Sequence, residues 1–219
     1  MQTKLTPTVE DYLSILWVLE RDGEPVIGAR LAEILGVTPP TVTNTLKRMM
    51  RNGLIAVDQE KGFCLTEQGR QAAQSVMRRH MLTEWLLLRM LDWSKTHSQA
   101  HTIEHTVSVE LEEALRNNLE NPQLCPHGNP LPGYEHVVVG WQPLLSFSSG
   151  ATVIIRRVHE LAEQNPELLA FLEEHQVMPG KAALITEILP FNETITLQIE
   201  GQAVTLGYIV ARYIFAEPA

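Results

Sequence analysis

A change of hydrophobic period at a proline-rich stretch is the feature that most constrains how this chain folds. Five of its 13 prolines fall in residues 121–143. Before this stretch, apolar residues recur every three or four positions, which is the period of amphipathic helices. After it, short apolar runs alternate with polar residues, as they do in strands. We therefore predict helical and β portions with separate cores, joined by an extended connection.

The predicted elements follow from that pattern and from the turn residues that interrupt it. Before the connection we predict helices over residues 8–21 (with Thr8 as N-cap), 28–35, 39–52, 66–93 and 97–119, and a hairpin of Leu54–Val57 with Phe63–Leu65. After it we predict strands Ala151–Leu161, Lys181–Ile188, Thr194–Ile199, Val204–Leu206 and Tyr208–Phe215, and a helix Pro166–His175. The strands suit a small β-barrel of about 70 residues.

Residues 28–52 have the spacing of a helix-turn-helix. Ala32 is small where the two helices must approach each other, Gly36 permits a left-handed turn, and Val42 packs the second helix on the first. The hairpin that follows is then the wing of a winged helix. The alternative is a plain helical hairpin, since Ala and Gly at these spacings also occur by chance.

The start of the second helix offers groups that bind DNA. Hydroxyls and an amide bond base edges or phosphates, and basic side chains hold the phosphate backbone. The candidate DNA-binding residues are Thr38, Pro40, Thr41, Thr43, Asn44, Lys47, Arg48 and Lys61. The formal net charge of −9 argues against nucleic acid, but no acidic residue occurs between Glu33 and Asp58. A basic face can therefore form there, and the alternative is an ordinary solvated helix face.

Four potential metal ligands share one face of the predicted helix 97–119. At positions i, i+4, i+7 and i+8, they are His97, His101, Glu104 and His105. Such a face is a poor core, because each buried polar group needs a partner, which a divalent cation supplies. Earlier helices add the i, i+4 pair His80 and Glu84, together with Glu10 and Asp11. These groups exceed the needs of one ion, so we predict two sites.

Each of these groups also has an interpretation without metal. His80 and Glu84 are alternatively an exposed helix pair, Asp11 a first-turn residue that complements the helix dipole, and the histidine face a pH-sensitive surface patch. The histidines for which we predict no site role are His127, His136 and His175. Cys64 is predicted to be buried in the wing, and Cys125 to have no partner.

The sequence also argues against a membrane or secreted protein. No apolar run reaches the ~18 residues that a membrane helix needs, and the N-terminus lacks a signal-peptide core. Two cysteines form no disulfide framework. We therefore predict a cytoplasmic location.

Short motifs distributed over nearly the whole chain point to one protein family. They are Glu10-Asp11-Tyr12-Leu13, Pro40-Thr41-Val42, Lys47-Arg48-Met49, residues 65–70, Arg79-His80 with Glu84, the His97–His105 face and the stretch Pro126–Gly133. With them the sequence resembles the diphtheria toxin repressor family of metal-dependent transcription regulators. The resemblance implies a mainly α fold with a small β part: a winged helix-turn-helix domain (1–74), a helical metal-binding and dimerisation domain with the Pro-rich connection (75–142), and a C-terminal SH3-like (FeoA-type) β-barrel (143–219).

The resemblance also implies two metal sites and a homodimer that binds DNA. The ancillary site would be formed by His80, Glu84 and His97, to which the SH3-like domain adds His159, Glu160 or Glu163. The primary, regulatory site would be formed by Asp11, His101, Glu104 and His105. Thr38, Pro40 and Asn44 would contact a palindromic operator in double-stranded DNA, and no organic substrate is involved.

The implied primary site departs from both branches of the family. Iron-type members have Met and Cys where this chain has Asp11 and His101, whereas manganese-type members share the Asp but usually place Glu at the positions of Ser14 and His101. Oxygen and imidazole ligands without sulfur suit Mn(II) and tolerate Fe(II). We predict Mn(II) as co-repressor of manganese or iron homeostasis genes, Fe(II) as the alternative ion, and binding of other divalent transition metals in vitro.

Two other functions compete with a metal-dependent repressor. A metallohydrolase needs an open coordination position beside a substrate cleft, but the sequence lacks an HExxH motif, since Thr102 follows His101. A winged-helix regulator that senses an organic ligand, with a vestigial metal face, would bind its operator without metal.

Overall fold

The computed structural model describes residues 5–60 and 62–219. It divides into two compact units, one formed by Met1–Arg79 with Glu104–Thr106 and the other by His80–Ile103 with Val107–Ala219. Among the described residues, no helix combines the length and hydropathy that a membrane span requires. The domain boundaries expected near residues 74 and 142 stay a prediction.

The first unit is built from helices and one hairpin. Its elements are α1 (Pro7–Arg21), α2 (Gly28–Leu35), α3 (Pro39–Arg51), β1 (Ile55–Asp58), β2 (Gly62–Leu65) and the part of α4 (Glu67–Leu87) up to Arg79. Strands β1 and β2 pair antiparallel, with Ile55 opposite Leu65. Leu13, Leu31 and Met49 are each 0% exposed, so each of α1, α2 and α3 buries an apolar side chain.

Local chemistry explains why α2 and α3 begin and end where they do. Gly36 ends α2 in the left-handed conformation (φ 62°, ψ 30°), which glycine adopts without steric cost. Pro39 occupies the first position of α3, where no backbone N–H is needed. Helix α1 begins at Pro7 with Thr6 as N-cap, so the expected N-cap Thr8 is wrong. A proline at the first helical position sets the earlier start.

The two long helices that we expected after the hairpin are shorter in the structure. Helix α4 ends at Leu87, and the expected helix 97–119 is divided into α5 (Trp93–Ile103), a 3-10 turn (Glu104–Thr106) and α6 (Val109–Asn118). Ser108 accounts for the break, because its side chain accepts a hydrogen bond from the Leu111 N–H and caps α6. Consequently His97 and His105 do not lie on one continuous α-helix.

The second unit carries a six-stranded sheet. Its strands are β3 (Gln142–Pro143), β4 (Thr152–Val158), β5 (Ala182–Leu189), β6 (Thr194–Ile199), β7 (Gln202–Gly207) and β8 (Ile214–Pro218). They lie in the order β3-β8-β4-β5-β6-β7, and all neighbours are antiparallel. Short helices interrupt the strands: α7 (Glu160–Glu163), α8 (Pro166–Glu174) and α9 (Tyr208–Ala211). The core under the sheet includes Trp93 of α5.

Two expected strands are shorter than the sequence pattern suggested. The strand Ala151–Leu161 ends at Val158, because the His159 side chain accepts the Leu161 N–H and starts α7. The strand Tyr208–Phe215 begins with the helical turn α9 instead. In both places a local cap or turn overrides an apolar run.

The start of α4 is bonded to the hairpin. Thr66 Oγ1 donates a hydrogen bond to the Gly53 carbonyl (2.6 Å) and accepts one from the Gly69 N–H (3.1 Å). A Cβ added at Gly69 would lie 1.9 Å from the carbonyl oxygen of Leu54. Only glycine therefore permits this approach of helix and hairpin.

Replacing Gly69 by alanine should therefore lower the free energy of unfolding. Overpacking typically costs about 1–3 kcal/mol, whereas Gly→Ala in an unobstructed helix stabilises by about 1 kcal/mol. Denaturant unfolding followed by circular dichroism measures the sign. Gly140→Ala is the control, since a Cβ there meets nothing within 4 Å. A Gly69→Ala variant as stable as the parent would contradict the close approach.

Candidate metal centre

The first group of ligands, here called the N-terminal cluster, consists of Asp11, Glu104 and His105. Nε2 of His105 lies 3.1 Å from Oδ1 of Asp11 and 3.5 Å from Oε1 of Glu104. Asp11 comes from α1, and the other two come from the 3-10 turn that follows α5. Glu104 is buried, whereas Asp11 and His105 are half-buried. Two carboxylates and an imidazole nitrogen converging on one point suit a divalent cation.

Glu10 orients the imidazole of His105. Oε2 of Glu10 lies 2.6 Å from Nδ1 of His105, and Oε1 of Glu10 accepts a hydrogen bond from the Arg79 guanidinium at 3.1 Å. With Nδ1 bonded to a carboxylate, Nε2 is the nitrogen that faces Asp11 and Glu104. This is the usual second interaction of a metal-binding histidine, which fixes the ring and its tautomer. The sequence suggested Glu10 as a ligand, whereas in the structure Glu10 is hydrogen-bonded to the candidate ligand His105.

The second group, here called the buried cluster, consists of His80, Glu84, His97 and Glu163. Oε1 of Glu84 lies 3.0 Å from Nε2 of His80 and 3.1 Å from Nδ1 of His97. Oε2 of Glu163 lies 2.7 Å from that same nitrogen of His97. Glu84 is 0% exposed, so the interpretation of His80 and Glu84 as an exposed helix pair is wrong.

The buried cluster attracts positive charge strongly. Burial opposes the charge of Glu84, but the imidazoles of His127 and His80 outweigh it and hold the pKa of the Glu84 carboxyl well below its usual range. Burial also lowers the pKa of His97, but the Glu163 carboxylate, followed by Glu84, raises that pKa to about 9. The two carboxylates therefore favour a positive charge beside them, and a proton on imidazole or a metal ion would supply it.

Two further residues border the buried cluster, and our sequence-based prediction missed both. His127 is 0% exposed, with Nδ1 3.4 Å from Oε1 of Glu84 and 3.8 Å from Oε1 of Glu163. Donor atoms of Cys125, His127 and Glu84 all lie within 4.8 Å of one another. Burial, followed by the Glu84 and Glu163 carboxylates, raises the pKa of the Cys125 thiol. Cys125 accepts the His127 backbone N–H at 3.3 Å, so the expectation that it has no partner is wrong, whereas a site role for His127 stays a proposal.

The remaining residues considered from the sequence are His101, His136, His159, Glu160 and His175. His159 Nδ1 accepts the Leu161 N–H at 3.0 Å, and Glu160 pairs with Arg157 at 3.0 Å, so Glu163 is the member of this segment that reaches the buried cluster. His101 lies exposed near the end of α5. His136 is exposed, and His175 bonds the Phe171 carbonyl at 2.8 Å.

The candidate DNA-binding residues lie on α3 and at its N-cap. All those described are exposed: Thr38, Pro40, Thr41, Thr43, Asn44, Lys47 and Arg48. The hydroxyl oxygens of Thr38 and Thr41 are 2.9 Å apart, so they share a hydrogen bond at the start of the helix. Lys61 lies outside the described residues. Cys64, expected to be buried in the wing, is half-buried on β2.

Three family models match the chain in succession. They are the iron dependent repressor N-terminal DNA binding domain over residues 4–63, the iron dependent repressor metal binding and dimerisation domain over residues 66–133, and the FeoA domain over residues 142–218. These matches, with the observed helices and antiparallel sheet, confirm the predicted fold class.

Individual relatives cover most of the chain. The iron-dependent repressor IdeR of Mycobacterium tuberculosis (strain ATCC 25618 / H37Rv) is 34% identical over 218 residues, 90% of this chain and 95% of the relative. The diphtheria toxin repressor of Corynebacterium diphtheriae is 33% identical over 198 residues, 90% of this chain and 84% of the relative.

Solved structures agree over nearly the full length. The manganese regulator SloR has a TM-score of 0.80 at 29% identity, covering 98% of this chain and 100% of its own. ScaR with bound Zn²⁺ has a TM-score of 0.81 at 29% identity, and the match covers 96% of this chain and 99% of the ScaR chain.

A Glu10→Gln variant should bind Mn(II) more weakly at the N-terminal cluster. Loss of a partner that orients a histidine ligand typically lowers metal affinity about 10–100-fold, and the amide cannot replace the charge facing His105 and Arg79. Calorimetric titration of metal-stripped protein measures the change. Glu33→Gln removes a carboxylate that pairs with Arg30 on the exposed face of α2, and should bind as the parent does. Equal affinities for all three proteins would remove Glu10 from the site.

Proposed function

The chain belongs to the iron-dependent repressor family, and from this we propose that Mn(II) is the ion that activates it, with Fe(II) as the alternative. It is a metal-dependent transcriptional repressor and not an enzyme. We propose that it acts as a homodimer in the cytoplasm, on a palindromic operator of genes for manganese or iron homeostasis. The observation that carries this proposal is the position of Asp11: a carboxylate of the DNA-binding unit lies 3.1 Å from His105.

The preference for Mn(II) follows from the donor atoms. Asp11, Glu104 and His105 would hold the ion, and we include His101 because of its sequence spacing, three residues before Glu104. This set contains oxygen and imidazole nitrogen without sulfur, which suits Mn(II) and tolerates Fe(II). Relatives named for iron and structures named for manganese both match this chain, so the donor set is the better guide to the ion.

Linkage between ligands explains how an ion changes DNA binding. The bound ion supplies positive charge and a fixed ligand geometry. Without it, Asp11 and Glu104 are like charges on either side of the His105 imidazole nitrogen. When Asp11 is a ligand, α1 is held to the turn at residues 104–106, and the other elements of the first unit are held with it. The population shifts toward the arrangement in which each protomer's α3 fits a major groove.

Residues of α3 would make two kinds of contact with DNA, to base edges and to phosphates. Thr41, Thr43 and Asn44, near the start of the helix, would face base edges, while Lys47 and Arg48 would hold phosphates. The helix lacks acidic residues, so its local charge favours DNA in spite of the chain's net charge of −9.

The His80, Glu84, His97 and Glu163 side chains of the buried cluster would hold a second ion. All four are buried, so this site would be dry and tightly enclosed. Its role would be to consolidate the second unit, because the ligands come from α4, α5 and α7.

Operator binding by metal-stripped protein tests the proposed function. DNA from the region upstream of the gene that encodes this chain is titrated with the protein at fixed salt. The titration is repeated without metal and with Mn(II), with Fe(II) under anaerobic conditions and with Zn(II). We expect tight binding with Mn(II) and Fe(II), and weak binding without metal. Equal binding with and without metal would contradict metal control and favour a regulator that senses an organic ligand.

An Asp11→Asn variant should lose the response of operator binding to Mn(II). Its operator affinity in Mn(II) should equal that in chelator, because α1 no longer supplies a charged ligand, while its unfolding free energy should stay within about 0.5 kcal/mol. Asp92→Asn is the matched control, since Asp92 is exposed and pairs with Lys95 at 2.5 Å. A normal Mn(II) response in Asp11→Asn would refute the linkage.

A Lys47→Ala variant should weaken operator binding to a similar degree for every DNA sequence. Each lost phosphate contact reduces the slope of log affinity against log salt by about 0.9, and the homodimer loses two contacts, one from each protomer. Fluorescence anisotropy at several salt concentrations measures this slope. Lys95→Ala, at an exposed lysine of α5, should leave the slope unchanged. An unchanged slope for Lys47→Ala would place phosphate contacts elsewhere on the chain.

A further inference from the structure

The two carboxylates of the buried cluster lie between two pairs of donors. Glu163 presents Oε2 to Nδ1 of His97 at 2.7 Å, and its other oxygen, Oε1, lies 3.8 Å from Nδ1 of His127. Oε1 of Glu84 is within 3.4 Å of His127 as well as close to His80 and His97. Glu163 therefore presents one oxygen to His97 and the other to His127, whereas a single oxygen of Glu84 faces the imidazoles of His80, His97 and His127.

The Cys125 and His127 side is enclosed, and three of its polar side-chain atoms lack hydrogen-bond partners in the part of the chain that the structure describes. Among the described residues, neither ring nitrogen of His127 has a hydrogen-bond partner, and nor has Oε2 of Glu84, although all three atoms are buried. Cys125 is 3% exposed, and its sulfur accepts the His127 backbone N–H at 3.3 Å. Buried polar atoms without partners are unfavourable, so these atoms point to a ligand.

The orientation of Glu163 is fixed by a buried polar network. Asn129 donates from Nδ2 to Oε1 of Glu163 and to the Val158 carbonyl, and Nε of Arg157 donates to Oδ1 of Asn129 at 2.5 Å. Gly128 lets this loop lie against β4, because a Cβ there would be 2.0 Å from the Arg156 carbonyl oxygen. The network keeps one carboxylate oxygen of Glu163 toward His127 and the other toward His97.

We propose that the buried cluster binds two divalent ions, with His80 and His97 at one end, Cys125 and His127 at the other, and Glu84 and Glu163 bridging them. The proposal deepens the metal-dependent function proposed above and rests on it. The donor atoms form two groups, one of His80, Glu84, His97 and Glu163 and one of Glu84, Cys125 and His127, and within each group they lie within 4.8 Å of one another. Glu84 belongs to both groups, and a carboxylate shared by two ions is typical of two-metal sites.

The two ends differ in the ion they favour. Thiolate and imidazole favour a borderline ion such as Fe(II), Co(II) or Zn(II), whereas the end with His80 and His97 also accepts Mn(II). On binding, Cys125 would form a sulfur–metal bond and release its thiol proton to solvent. No oxidant or reductant is needed.

Cobalt(II) loading of the full-length, metal-stripped protein tests this proposal. The Asp11→Asn background removes the contribution of the N-terminal cluster. We expect two bound ions per chain by equilibrium dialysis, and near-ultraviolet thiolate-to-cobalt charge-transfer absorption. Cys125→Ser should abolish the absorption and reduce the count by one ion. Cys64→Ser, at the chain's only other cysteine, should change neither.

Electron paramagnetic resonance of the same cobalt-loaded protein supplies a readout that does not depend on a core variant. Two ions bridged by carboxylates interact magnetically, so we expect a coupled spectrum. One bound ion without charge-transfer absorption, or a spectrum of isolated ions, would overturn the two-ion cluster and leave a single-ion site and the repressor function intact. Operator binding that is independent of metal would instead overturn the proposed function, while the cobalt count and absorption would still decide the two-ion cluster.

Discussion

The organisation of the second unit depends on the burial of Glu84. A carboxylate that is 0% exposed keeps its charge only if cationic or hydrogen-bonding groups surround it. Those groups come from separate elements: His80 from the same helix, His97 from α5, and His127 from the loop that precedes the sheet. Glu163 adds a second carboxylate from α7. Each element must therefore be in place before the charge is compensated, which makes the cluster a junction between the helices and the β-sheet of this unit.

The N-terminal cluster also combines carboxylates with imidazole, but the desolvation of its charged groups is less unfavourable. Asp11 and His105 are half-buried, so water screens their charges and an ion can exchange with solvent. Glu10 and Arg79 hold His105 in one orientation, so the ligand atoms are arranged before an ion arrives. A sensor needs such exchange, because its occupancy must follow the free ion concentration. An enclosed cluster releases its ion slowly and is better suited to holding structure together.

Sequence reasoning predicted the features that depend on local chemistry and missed those that depend on tertiary contacts. Gly36 and Pro39 define α2 and α3 without help from distant residues, so the helix-turn-helix was predictable. The break before α6 depends on a cap at Ser108 that competes with a long helical pattern. The part played by His127 was hidden, because its burial and its carboxylate neighbours come from segments far along the chain. The sequence Cys125-Pro126-His127 places two potential metal ligands two residues apart, and this was the available signal of a site.

The distribution of sulfur bears on how the proposed manganese response would be protected from other ions. Affinity for divalent ions rises from Mn(II) through Fe(II) toward Cu(II), and a thiolate strengthens binding of the softer ions further. A sensor for Mn(II) therefore gains by keeping thiols out of its ligand set, as the N-terminal cluster does with Asp11, Glu104 and His105. In the proposed arrangement Cys125 lies in the other cluster, where a softer ion serves structure and leaves α1 unaffected. In that arrangement the two clusters would answer to different ions, and only the sulfur-free one would report its occupancy to the DNA-binding helix.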